Sequence, residues 1–282
     1  MKIGTFVDYS IVMFLSTVIR SQNTISSAIL KRTVPLEFFI PDNLLGNETI
    51  NLLLLNDGQD AVALNIEQTL NALNEKNRLE SLIIVAIHAS AHRIQEYGVA
   101  GVPDYLGRGS NAGLYRDFVM TELLPYIQQE LGITINGKKG FAGCSLGGIS
   151  AFDIAWNNSD YFDLTGVFSG AFWWRDKDLK EGYTDENRIL HRMIRESNAH
   201  PDLKFWLMTG TEDETADRNH NMIIDSIDDT IDVIKELLKK GYQRPQDIAY
   251  YEMVGGKHEV STWAKAMPAF LCWAFGRKTY RL

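Results

Sequence analysis

A serine hydroxyl does covalent chemistry only when it is held out from the chain, a base takes its proton and donors await the developing oxyanion. Residues 141–148, Phe-Ala-Gly-Cys-Ser-Leu-Gly-Gly, meet the first condition. They set Ser145 in a Gly-x-Ser-x-Gly pattern, after an apolar run that reads as a strand (140–144) and before a helical stretch (149–156). In that setting the pattern is a sharp strand-to-helix turn. Gly143 and Gly147 let strand and helix approach closely, and Ser145 falls at the helix N-terminus, where the dipole favours negative charge. A glycine-rich turn with an idle serine is the competing reading, and the flanking strand and helix weigh against it.

The base must be a histidine placed after the serine and over the sheet. Of the six histidines, His191 lies in a charged helical segment, His200 in a polar turn and His220 in an acidic loop, while His88 and His92 precede the serine. His258 follows Val-Gly-Gly-Lys between the last apolar strand and the last helix, so it is the base candidate. The acid should follow the strand before it. Gly210-Thr211-Glu212-Asp213-Glu214 stands there, and Asp213 is preferred because three residues from Gly210 make one tight turn. Glu212 and then Asp217 are the alternatives. Such an acid would hold the imidazole tautomer and stabilise the imidazolium. For the oxyanion, the amide of Leu146 is one expected donor and the amide of Gln59, in Asn56-Asp57-Gly58-Gln59 after an early strand, is the other. An ordinary Asp-Gly turn is the plain alternative for the second. Trp173 and Trp174 read equally as walls of a substrate pocket or as core aromatics, and Arg93, Glu96 and Tyr97 could line its entrance.

The elements that would position these groups are legible as alternating patterns. Strands are expected at 34–40, 50–55, 82–88, 140–144, 164–168, 205–209 and 248–253, several of them continuous apolar runs suited to burial on both faces of a parallel sheet. A further strand is expected at 9–20. Helical stripes run through Ile66, Leu70 and Leu73, through Val119, Leu123, Ile127 and Leu131 (where Pro125 should kink the helix or set its start), and through Ile227, Ile231, Ile234 and Leu238, with Gly241 as the stop. Strands alternating with helices predict a doubly wound, mostly parallel sheet, whose chemistry belongs at the carboxyl ends of its strands. With 282 residues, 45% hydrophobic and 23% charged, and no repeat or Pro/Ser/Gly linker, one α/β domain over residues 1–282 is expected.

The net charge of -8 and the absence of a basic stripe exclude a nucleic-acid binder and make anionic membranes poor partners. No run reaches the ~18 apolar residues of a membrane helix. Asp8 and Arg20 interrupt the apolar N-terminal stretch, so a secretory signal is not expected and a cytoplasmic location is. Cys144 and Cys272 read as buried free thiols. The oligomeric state leaves no trace in the sequence.

Taken together, these motifs resemble the α/β-hydrolase esterase family that includes enterochelin esterases, esterase D (S-formylglutathione hydrolase), feruloyl and acetylxylan esterases, and mycolyltransferases. The resemblance is carried by Asn56-Asp57-Gly58-Gln59, Arg93-Ile94-Gln95-Glu96-Tyr97, Tyr115-Arg116-Asp117-Phe118 with Glu122-Leu123-Leu124-Pro125, Gly143 to Gly148, Gly210-Thr211-Glu212-Asp213, and Gly256-Lys257-His258 with Trp263. It implies an α/β-hydrolase fold, a Ser145, Asp213 and His258 triad, and an oxyanion hole from the Gln59 and Leu146 amides. The expected activity is serine-dependent carboxylic-ester hydrolysis through an acyl-enzyme, on a small-molecule ester and with no cofactor needed for catalysis. Acyl transfer on the same site and a non-catalytic protein that keeps the fold are the alternatives. Cys144 departs from relatives that have Ser or His there, and an acidic insertion follows Asp213. In that insertion Asp217, Asn219, Asn221, Asp225 and Asp228 have the spacing of a calcium loop, although Met222 replaces the turn glycine and Asp228 the usual Glu. A structural calcium ion there is one expectation, and an acidic helix start is the other.

Overall fold

A computed structural model describes residues 17–44 and 48–277. Along the chain lie β1 (Val18–Ser27), β2 (Arg32–Pro41), β3 (Ile50–Asn56), α1 (Ile66–Glu75), β4 (Ser81–Ile87), the short α2 (Arg93–Glu96), α3 (Ala112–Phe118), α4 (Leu124–Leu131), β5 (Lys139–Cys144), α5 (Leu146–Asn157), β6 (Leu164–Phe168), α6 (Ile189–Glu196), β7 (Lys204–Glu212), α7 (Asp225–Lys239), β8 (Ile248–Lys257) and α8 (Val260–Phe275). Eight strands form one sheet in the order β1-β2-β4-β3-β5-β6-β7-β8. β2 runs antiparallel to both β1 and β4, and every other pair is parallel.

The apolar runs do what their composition requires. Leu52 and Leu54 enter the core on one face of the sheet, while Leu53 and Leu55 enter the other. Ile83 and Val85 split from Leu82 and Ile84 in the same way. Both faces are therefore covered, by α3 to α7 on the first and by α1 and α8 on the second. Chain direction reverses its walk across the sheet at β3, with β4 on one side and β5 on the other. Such a switch point opens a crevice at the strands' carboxyl ends.

Two expectations need correction and one is met. The N-terminal strand is β1, so only Val18 to Arg20 of the expected 9–20 falls in it, and residues 9–16 lie outside the described residues. β1 is a polar edge strand with one neighbour, and it lacks the apolar signature of the inner strands. Pro125 does set a helix start: α4 begins at Leu124, and a π-helical segment, Val119–Leu123, joins it to α3. A proline lacks the N–H of a regular turn and crowds the carbonyl four residues back, so the wider turn relieves it. In α7 the buried face is Thr230, Val233, Ile234 and Leu237, so Leu238 is exposed and Ile227 and Ile231 are only half-buried. Gly241 (φ 103°) follows that helix end as expected.

Candidate active site

Ser145 sits between β5 and α5 with φ 53° and ψ −120°, a conformation that a side chain rarely adopts. The strain, about 1–3 kcal/mol, is held by its surroundings. The Ser145 N–H donates to the Phe168 carbonyl (2.9 Å), and the Ser145 carbonyl accepts from the N–H of Gly148 (3.0 Å) and Ala171 (3.2 Å). A Cβ at Gly143 would lie 2.4 Å from the Gly147 backbone, and one at Gly148 would lie 2.7 Å from Val167. At Gly147 a Cβ would meet the Asp57 carboxylate at 2.6 Å. The glycines thus bring strand, helix and the β3 turn into contact.

Across the switch point, the residues after β3 form the opposite wall. Asn56 is fully buried; its amide donates to the Gly147 carbonyl (2.8 Å) and its Oδ1 accepts from the Tyr115 hydroxyl (2.5 Å). The β3 turn and the serine helix are thereby tied directly. Asp57 adopts a left-handed conformation (φ 60°), and both its oxygens accept from Arg93, at 2.7 and 2.8 Å. The Gln59 side chain bridges the same turn, donating to Asp57 Oδ1 (3.2 Å) and accepting from the Ala89 N–H (3.0 Å). Leu146 and Gln59 both lie in first turns, of α5 and of the 3-10 turn Gly58–Asp60. N–H groups there have no partner within their own helix and are available to an anion.

Ser145, His258, Gln59, Asp57, Asp60 and Arg93 line one cavity of about 240 Å³, with Leu64, Cys144 and Trp263 as its less polar wall. His258 immediately follows β8 and packs edge-on against Trp263, with ring centroids 5.2 Å apart. The residue is exposed overall, yet partial desolvation of the ring lowers its pKa below the usual 6.5, Asp213 pulls in the opposite direction, and Arg93 adds to the lowering. Asp213, whose charge acts on His258, is buried. Its Oδ2 accepts from the Gly210 N–H (3.0 Å) and the Ser226 hydroxyl (2.9 Å), whereas its buried Oδ1 has no hydrogen-bond partner among the described residues. Glu212 is exposed at the strand end and pairs in register with Lys257. Asp217 accepts from the N–H groups of Asn221 and Met222. Burial holds the Cys144 thiol well above its ordinary pKa, so it stays protonated beside Ser145.

The expected wall tryptophans are elsewhere. Trp174 is fully buried, and Trp173 packs with it beneath Arg108; neither lines this cavity. Glu96 is also buried, in an ion pair with Arg32, and the buried Tyr97 hydroxyl accepts from the Asp57 N–H, so of the expected entrance residues Arg93 alone reaches the cavity. Trp263 takes the aromatic place instead. Its indole N–H donates to the hydroxyl of Ser169 (2.9 Å), a residue itself at φ 46°. Ser226, Asp60 and Leu64 carried no sequence signal of a role.

In the 217–228 loop the oxygens are largely taken. Asp225 faces Arg218, Asp228 Oδ2 accepts from the amides of Asn219 and Asn221, and Asn219 and Asn221 Oδ1 accept from backbone N–H groups. Met222 takes the left-handed conformation (φ 70°) that the missing glycine would have eased. No group of three or more His, Cys, Asp or Glu able to hold a metal ion is present among the described residues. Cys144 is buried, Cys272 half-buried and both are free. No helix among the described residues is long and apolar enough to cross a membrane.

Comparison with known proteins decides the family. The model of the Putative esterase family matches residues 27–274. The chain belongs to that esterase family. It is an enzyme acting on esters, with the α/β-hydrolase fold. Among solved structures it is similar to a ferulic acid esterase (TM-score 0.68, 17% identity, 92% of this chain and 98% of that one). It is also similar to the enterobactin esterase FES from Shigella flexneri (0.69, 18%, 90% and 58%) and to the BES protein from Bacillus cereus (0.66, 19%, 91% and 96%). The esterase thus spans a little under three-fifths of the Shigella flexneri protein. No curated protein matches.

Proposed function

We propose that this esterase hydrolyses carboxylic esters of small molecules through a Ser145, His258 and Asp213 triad. The reading rests on one observation. The strained Ser145 shares a cavity with His258, whose imidazole feels the Asp213 charge, and Asp213 Oδ1 is buried without a hydrogen-bond partner among the described residues. His258 Nε2 removes the Ser145 proton as Oγ attacks the ester carbonyl, and Asp213 Oδ1 accepts from Nδ1–H of the imidazolium. A lowered pKa keeps His258 neutral at pH 7, as a general base must be. The oxyanion is met by the Leu146 and Gln59 amides, and its collapse expels the alcohol, which takes the proton back from His258. Water, deprotonated by the same imidazole, then attacks the acyl-enzyme; the acid leaves and Ser145 recovers its proton. Leu64 and Trp263 supply the apolar wall against which the substrate lies. No step is routed through the 217–228 loop.

The test is hydrolysis of short p-nitrophenyl esters by the wild type and Ser145→Ala. We expect kcat to fall by about three orders of magnitude or more. Equal rates would overturn the assignment.

A further inference from the structure

Resting on the hydrolytic reading, one ionisable group in the cavity has no task in the chemistry. Asp60 closes the turn after β3 and lines the cavity with Ser145 and His258. Its neighbour Asp57 is already paired, gripped at both oxygens by Arg93. Asp60 is half-buried, and among the described residues no hydrogen bond or ion pair reaches its carboxylate. Asp57 repels it, and Arg93 and His88 offset this in part; burial and that repulsion hold the carboxyl above its ordinary range. A bound cation would relieve both.

The charges lining the cavity do not balance. Asp57 and Asp60 carry two negative charges, Arg93 one positive, His258 is neutral at pH 7 and Cys144 stays protonated, which leaves one unpaired negative charge. The remaining wall carries no charge: Gln59 and Ser145 are polar, Leu64 is apolar and Trp263 aromatic. Leu64 suits methyl groups, and the Trp263 indole, fixed by Ser169, offers a π system to a cation. About 240 Å³ admits a group the size of a substituted ammonium on a short chain.

We propose that Asp60 is a specificity residue that makes this cavity prefer esters carrying an ammonium group in the half that enters it. A matching ester with a carboxylate there meets the same unpaired charge and is rejected. Because the carboxylate is half-open to solvent, screening limits the preference to about tenfold.

The test needs no turnover. Choline and its neutral isostere 3,3-dimethylbutan-1-ol are titrated into the full-length Ser145→Ala protein, with binding followed by NMR shifts of the Trp263 indole. We expect choline to bind about tenfold more tightly at low salt, the ratio to shrink as salt rises, and Asp60→Asn in the same background to bring it close to one. Equal or weaker choline binding overturns the proposal, as does a ratio that survives Asp60→Asn. If Asp60→Asn does not fold, the choline ratio and its salt dependence in the parent protein decide alone. Binding is read without catalysis, so failure here leaves the triad standing. Ester hydrolysis that persists without Ser145 would remove the triad and leave this result intact.

Discussion

Around Ser145 the backbone is fixed by contact: a Cβ at Gly143 would overlap the Gly147 backbone at 2.4 Å, and at Gly147 and Gly148 it would meet the Asp57 and Val167 side chains at 2.6 and 2.7 Å. At the Asp213 carboxylate the fixing is done by hydrogen bonds, from the Gly210 N–H and the Ser226 hydroxyl to a single oxygen, although the backbone before it is enclosed as well, since a Cβ at Gly210 would lie 2.3 Å from the Gly256 carbonyl oxygen. The first arrangement is all-or-none, because overlapping atoms in a close-packed interior have nowhere to go. The second is graded, because each hydrogen bond contributes only about 1 kcal/mol and can be removed alone. The backbone of the Ser145 turn is therefore set by contact, while the Asp213 carboxylate is oriented by bonds that can be removed singly.

That contrast can be broken at several points. The largest expected effect is on folding. Gly143→Ala should cost about 3 kcal/mol or more and lower the melting temperature by many degrees, as read by thermal denaturation. A wild-type melting curve would mean that strand and helix are not locked there. Next is Asp213→Asn, which should leave melting nearly unchanged yet cut kcat/KM about 10²–10⁴-fold. Its pH profile carries a sign. In the wild type, partial desolvation sets the His258 acid limb below pH 6.5, and Asp213 raises it from there. Removing that charge should move the midpoint to lower pH; an upward or absent shift would place the acid elsewhere, with Glu212 the next candidate. The smallest effect belongs to Ser226→Ala, where losing one of two bonds to Oδ2 should reduce kcat several-fold without altering KM. A loss as large as that of Asp213→Asn would show the loop to be as rigid as the serine turn.

The same contrast explains what could be read from the sequence. The Ser145 turn is local: glycine spacing, a preceding strand and a following helix all lie within about twenty residues. Inner strands announce themselves because burial on both faces demands unbroken apolar runs. The placement of Asp213 and His258, each just past the end of a strand, was legible through strand order. The cavity wall was not. Trp173 and Trp174 stand near a strand end in sequence, yet Trp174 covers Gly98 and Gly109 while Trp263, more than a hundred residues after Ser145, lines the Ser145 cavity. Which aromatic turns inward depends on long-range partners such as the Ser169 hydroxyl, and no short pattern encodes that. Asp60 was hidden for a related reason, since its significance lies in the ion pair that its neighbour makes and it does not.

The central claim is that Ser145, activated by His258, is the nucleophile. Its most direct test is labelling with a fluorophosphonate, followed by mass spectrometry of the digested protein. The account predicts one adduct, on the peptide bearing Ser145, with labelling lost in Ser145→Ala and slowed by orders of magnitude in His258→Ala. An adduct on any other residue, or labelling of Ser145 at an unchanged rate without His258, would contradict it.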